Sequence, residues 1–250
     1  MTSVAIEDQI IELGPWCHEI QVTPDVSTRV WLDAASGESD LPFIDPHKVV
    51  TGRVLQRLFP AGLEGRSVLD CGCNAGGYLF MAAEYGAGNC VGFDVREHWI
   101  RQAEFVLSQR SDLARITFAV SDVYDLPTLN LEPFDLAFFN GIFYHLPDPL
   151  SGMRLVAELT RELLILDTAT RSGVADGFLA VENESTHALL SGIYGLNWLP
   201  TGPDVLRRIL QWLGFEEWHV AEWRKETRPG VGRLVMFASR RAGLLAKLRS

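Results

Sequence analysis

The chain has 250 residues, 47% of them apolar, and a formal charge of −10 from 32 acidic and 22 basic side chains. That length and apolar share suit one large α/β domain with a small appendage and a sizeable buried core. No run approaches the ~18 apolar residues of a membrane span, and the acidic balance argues against a polynucleotide partner, which needs clustered cations.

In chain order, residues 1–65 read as an N-terminal helical extension, expected to act as a lid. It has a helix at 4–13, an irregular middle with Pro24, Pro42 and Pro46, and a helix at 47–59. The first residues lack a basic start and an apolar leader, so a cytoplasmic protein is expected. Residues 66–250 read as the main domain. Strands near 67–71, 89–94, 115–120, 134–140 and 162–167 alternate with helices near 76–86, 96–109 and 149–160, the pattern of a parallel sheet with crossover helices. The apolar runs Leu136-Ala-Phe-Phe139 and Leu163-Leu-Ile-Leu166 are continuous, as in strands covered on both faces. Residues 168–202 form a connection too long to be a simple turn. With Phe178, Ile193, Tyr194, Trp198 and Leu199 it is too apolar for disorder, and is expected to wall an acceptor pocket. A helix at Asp204–Leu213 and strands at Glu217–Trp223 and Arg233–Ser239 follow. The tail, with Arg240, Arg241, Lys247 and Arg249, reads as a solvated, frayed helix.

The chemistry concentrates at strand ends. Val68-Leu-Asp-Cys-Gly-Cys-Asn-Ala-Gly-Gly77 is a strand running into a glycine turn, and Asn89-Cys-Val-Gly-Phe-Asp94 ends in a second acidic residue. Gly72 and Gly76 would let the turn approach a ligand that a Cβ would block. Asp94, with Val95 beside it, would accept from a ribose diol. A dinucleotide site needs a second glycine two residues on to admit a pyrophosphate. Asn74 stands there instead, and Asp70 would repel phosphate but attract a cationic amino-acid head. These features suit S-adenosylmethionine, its head against the turn from Asp70 through Gly72 and Cys73 to Asn74. Asp122 and Val123 follow the third strand and are expected to hold the adenine; Asp122 also fits a plain turn cap. The four cysteines (Cys17, Cys71, Cys73 and Cys90) lack the paired spacing of a zinc site, so no metal is expected.

Asn140, Tyr144 and His145 follow the fourth strand, where a transferring methyl would point. His145 reads either as a general base, since imidazole titrates near neutrality, or as a structural residue bonding a loop carbonyl. His187, Asn197 and Trp198 could line the acceptor pocket; Glu182 and Glu184 read as solvated or as groups that recognise a basic substrate, and Met153 and Trp212 as core residues. His18, His47, His98 and His219 show no partner spacing.

The glycine turn resembles motif I of the class I S-adenosylmethionine-dependent methyltransferases. With Gly92-Phe-Asp94 and Phe139-Asn-Gly-Ile-Phe-Tyr-His-Leu-Pro-Asp-Pro149, the chain is similar to the branch holding the bacterial tRNA wobble-uridine carboxymethyl transferases and their small-molecule relatives. The resemblance covers about residues 48–239. It implies a Rossmann-like sheet of seven strands, the last antiparallel. It also puts Gly72, Asp94, Asp122, Val123, Asn140, Tyr144 and Arg233 at the cofactor, with Tyr144, His145 and Arg233 facing the acceptor. Two departures stand out. Lys48-Val-Val-Thr-Gly-Arg53 lacks the tryptophans that help bind a carboxylated donor, and Leu146-Pro147-Asp148 replaces basic residues. Methyl transfer to a small-molecule acceptor, O- ahead of N-methylation, is therefore expected. A tRNA methyl or carboxymethyl transferase and a non-catalytic cofactor-binding partner subunit are the alternatives, and a homodimer stays open.

Overall fold

The computed structural model describes residues 3–34, 46–113 and 115–248; Pro42 and Arg249 lie outside them. A seven-stranded sheet is built from β1 (Ser67–Cys71), β2 (Asn89–Asp94), β3 (Ile116–Val120), β4 (Phe134–Asn140), β5 (Thr160–Arg171), β8 (Glu217–Arg228) and β9 (Val231–Ser239). Its order is β3-β2-β1-β4-β5-β9-β8. The β1–β2, β2–β3, β1–β4 and β4–β5 pairings are parallel, while β9 runs antiparallel to both β5 and β8. The order reverses between β1 and β4, and open α/β sheets bind ligands at the carboxyl ends of the strands flanking that switch point.

The continuous apolar runs behave as covered strands should. Leu136, Phe138, Leu163 and Ile165 enter one core layer, and Ala137, Phe139, Leu164 and Leu166 the other. Each fully buried Leu or Phe contributes about 1.5–3 kcal/mol of transfer free energy. Helices α4 (Gly77–Glu84) and α5 (Glu97–Gln109) flank the sheet with α6 (Pro149–Glu158) and α7 (Pro203–Trp212). Asp148 starts α6 by accepting from Ser151 N–H at 3.1 Å, with Pro149 in the first turn.

The N-terminal segment holds α1 (Ser3–Leu13), α2 (Arg29–Ala34) and α3 (Pro46–Leu58). Helix α2 falls in the stretch read as irregular; six residues are too short to show a helical period. Ile10, Trp16, Ile20 and Val22 are buried in the same core layer as Val68 and Phe138. Gln102 Nε2 on α5 donates to the carbonyls of Leu13 and Pro15, each at 2.8 Å.

Other expectations need correction. Strand β5 runs to Arg171 rather than ending near 167, because β9 pairs with it as far as Arg171↔Val231. The long connection holds a hairpin of β6 (Leu179–Asn183) and β7 (Leu196–Pro200). The tail is packed, not frayed: Leu244, Leu245 and Leu248 are buried, and Arg240 donates to the carbonyls of Ala157 and Leu213. Met153 is buried, but Trp212 ends its helix 67% exposed.

Candidate active site

A cavity of about 550 Å³ opens at the carboxyl ends of β1, β2 and β4, within the range of small-molecule sites. The loop after β1 forms its floor. Gly72 has φ +69°, and a Cβ there would lie 2.1 Å from Ile142 Cγ2, so only glycine fits. Cys73 N–H donates to Phe93 O at 2.9 Å. Asn74 takes φ +51°, a conformation asparagine tolerates. Its N–H donates to Asp94 Oδ2 while Arg96 N–H donates to Asp94 Oδ1, both at 3.0 Å. The Asp94 carboxylate thus ties together the loops that follow β1 and β2. Each of its oxygens keeps a lone pair for a further donor.

Two residues expected at the cofactor sit elsewhere. Gly76 is off the cavity wall; a Cβ there would meet the Phe118 ring at 2.7 Å, so this glycine serves packing. Asp70 lies beneath the turn, 1% exposed and also off the wall. Burial, with Asp94 nearby, pushes its carboxyl up to about 8, and its Oδ2 has no hydrogen-bond partner among the described residues. It supports the turn from beneath instead of lining the cavity.

Asp122, Val123 and Val95 line the cavity. Asp122 caps the 3-10 turn Val123–Thr128 by accepting from Tyr124 N–H at 3.0 Å, and its other oxygen accepts from Tyr194 Oη. Asn140, at the end of β4, is 8% exposed, and neither polar atom of its amide has a partner among the described residues. Leaving such groups unpaired is costly. An orphaned amide on the wall, a floor with room only for glycine and a carboxylate with spare lone pairs together fit S-adenosylmethionine.

The acceptor side gathers residues from distant segments. Tyr144 and His145 sit in the 3-10 turn Phe143–His145. Arg233 Nε and Nη2 fork onto Asp167 at 2.7 and 3.0 Å, and Nη1 donates to Tyr144 Oη at 3.2 Å. Ala169 pairs with Arg233 in the β5–β9 register, so Asp167 is the diagonal neighbour on the same face. The guanidinium is thus already engaged by a carboxylate of the chain itself. Among the described residues the His145 imidazole bonds no carbonyl: its Nδ1 lies 2.8 and 2.9 Å from the two oxygens of Glu184, and Gly192 N–H points at the same atom at 3.0 Å. Burial pulls the imidazole below its ordinary 6.5, while Glu184 opposes that and Arg233 and Arg96 add to it.

Glu184 is therefore not solvated; its side chain is 9% exposed. Glu182 is paired with Arg171 at 3.1 Å. His187 is exposed and off the wall; Asn197 and Trp198 are half-buried and also off it. With its amide turned to donate, Asn197 reaches Glu184 Oε2 and Tyr144 O, each at 3.1 Å. Arg96 donates to the carbonyls of Leu189 (2.7 Å) and Ser191, pinning the segment over the cavity. Sequence reading passed over Arg96, Asp167, Cys17, His18 and His47, all on the wall. Only Arg96 carried a signal, as the residue two after Asp94.

A sequence profile described as a methyltransferase domain matches residues 63–192. A tRNA U34 carboxymethyltransferase from Helicobacter pylori (strain G27) is 30% identical over 167 residues, 66% of this chain and 62% of that protein. Among solved structures, the N-terminal domain of EvdMO1, crystallised in the presence of SAH and D-fucose, aligns with a TM-score of 0.72 and 21% identity. That match covers 96% of this chain and 98% of the other. Magnesium protoporphyrin IX methyltransferase (ChlM) from Synechocystis PCC 6803, with bound SAM, aligns with a TM-score of 0.53 and 20% identity, covering 77% and 79%. With the profile spanning more than half the chain and the sheet completed by an antiparallel strand between β5 and β8, this protein belongs to the class I S-adenosylmethionine-dependent methyltransferases.

Proposed function

We propose that the chain methylates a hydroxyl group on a small-molecule acceptor. The observation that carries this reading is His145 on the cavity wall, with Nδ1 engaged by Glu184 and no protein partner at Nε2 among the described residues. Bound S-adenosylmethionine supplies an electrophilic sulfonium methyl. Gly72, Cys73 and Asn74 would hold its head with Asn140, Asp94 its ribose, and Asp122 with Val123 its adenine. Tyr194 Oη would yield its place on Asp122. The chain's own task at the acceptor is to orient a hydroxyl and remove its proton, and imidazole is suited to that near neutral pH. Arg233, neutralised by Asp167, holds Tyr144 against the methyl-transfer side of the cavity. Residues 1–65 would act as a lid, with Cys17, His18 and His47 on the wall.

A second reading, transfer to a tRNA wobble uridine, is favoured by the Helicobacter pylori relative. The chain spans 62% of that protein's length. The formal charge of −10 and the engaged guanidinium of Arg233 weigh against a polynucleotide and a carboxylated donor. EvdMO1's crystallisation with D-fucose makes sugars the first acceptors to try.

The test presents the purified chain with methyl-labelled S-adenosylmethionine and two acceptor sets, free or nucleotide-linked sugars and unmodified tRNA transcripts. Label in the sugar fraction is the expected result. Label confined to tRNA, or transfer only from carboxy-S-adenosylmethionine, would replace this reading with the second. Absence of turnover with any acceptor would leave a non-catalytic binding subunit.

A further inference from the structure

We propose that Glu184 is the positioning residue for His145: it holds the imidazole as the Nδ1–H tautomer and leaves the Nε2 lone pair free for the acceptor's proton. This rests on reading His145 as the base. Two groups compete for Nδ1. Gly192 N–H approaches it at 3.0 Å. If that donor prevailed, Nδ1 would be the acceptor, the proton would sit on Nε2, and the ring could not act as a base toward the cavity. A carboxylate can only accept, so Glu184 draws the proton onto Nδ1, and both its oxygens lie within 2.9 Å. Hydrogen bonds to an ionised partner are roughly twice as strong as neutral ones, so Glu184 prevails. When the acceptor hydroxyl ionises, its proton moves to Nε2; Nδ1–H stays on Glu184, and the imidazolium faces a carboxylate.

The position of Glu184 is built by the strap that follows β6. Glu184 N–H donates to Gly195 O at 2.9 Å, closing the strap at its base. A Cβ on Gly192 would lie 2.7 Å from Glu184 Oε2 and 2.8 Å from His145 Cβ, so only glycine lets the strap come this close. The charged groups facing His145 are Glu184 after β6, Arg233 on β9 with its partner Asp167, and Arg96 after β2. Glu184 is the anion that opposes the two guanidinium groups. Because Arg96 pins Leu189 and Ser191 of the same strap, the base is completed only when the strap is seated over the cavity.

The experiment follows the ring directly. Two-bond 1H–15N correlation spectra of 15N-histidine-labelled protein, saturated with S-adenosylhomocysteine, report the tautomer and titration of His145. The wild type should show the Nδ1–H tautomer. Glu184→Ala should switch it to Nε2–H, as Gly192 takes over Nδ1, and Glu184→Gln, nearly isosteric, should lower the imidazole pKa because the stabilising anion is gone. Calorimetric affinity for S-adenosylhomocysteine checks that both variants are folded. An Nε2–H tautomer in the wild type, or a tautomer and pKa unmoved by either substitution, overturns the proposal. Failure of the base reading is separate: it shows as full turnover in His145→Ala, whatever the spectra say.

Discussion

The two halves of the cavity are built differently. The cofactor half is assembled from residues at the ends of β1, β2, β3 and β4, where the glycine turn follows β1 and Asp94 and Asn140 are the last residues of β2 and β4. The acceptor half is assembled across the chain. His145 meets Glu184, Arg233 meets Asp167, and Arg96 meets Ser191, pairs separated by 39, 66 and 95 positions. A switch point in a parallel sheet needs only strand order to place its ligands, whereas an acceptor wall needs long-range ion pairs and a strap.

Perturbing the two halves should therefore give different signatures. The largest effect is expected at Gly72→Val. Its backbone at φ +69° would cost about 1–3 kcal/mol on its own, and the clash with Ile142 would distort the floor. Calorimetry should show no measurable binding of S-adenosylhomocysteine, and denaturant unfolding should show lost stability; a stable variant with normal affinity would remove the turn from the cofactor site. Next comes Asp94→Asn. One oxygen would still accept a backbone N–H, so the loops should hold. Loss of a charged acceptor, worth about 1.5–3 kcal/mol, should weaken donor binding at least about tenfold. Unaltered affinity would put the ribose elsewhere.

Asp70, beneath the turn, should give an effect that depends on pH and leaves donor contacts in place. Its carboxyl titrates at about 8 in the fold against an ordinary 3.8. Between those values the folded state holds a proton that the unfolded state has released, so this group's contribution to stability falls as pH rises through that window. Asp70→Asn should remove that slope. Denaturant unfolding at about pH 5 and about pH 8 should show the variant gaining on the wild type at the higher pH. A constant difference at both values would mean that Asp70 is ionised in the fold.

The same contrast explains what could be read in advance. The strands from Ser67 to Asn140 and the roles suggested for Asp94 and Asn140 rest on local pattern: apolar runs with an acidic or amide residue at the strand end. Asp70 and Gly76 share that motif, yet sequence cannot say which atoms face the cavity and which face Phe118 or the buried layer. Glu184 read as solvated because Glu182-Asn-Glu184 is polar; its burial comes from a strap that folds back onto His145. The partner of Arg233 could not be read because Asp167 lies on another strand, brought beside it by an antiparallel register. His18 and His47 gave no signal, since a lone histidine carries no spacing.

The separation of the halves is tested most directly at His145. Single-turnover transfer and calorimetric affinity for S-adenosylhomocysteine should be measured together on the wild type and His145→Ala, with a hydroxyl acceptor that the wild type methylates. Affinity is expected to stay within about twofold, while transfer falls about 10²- to 10⁴-fold, the range for a lost general base. The wild-type rate should rise with pH to a plateau reached at lower pH than an ordinary imidazole would give, because burial lowers the imidazole's pKa. Affinity and transfer falling together, or neither moving, would contradict the division of labour between the two halves.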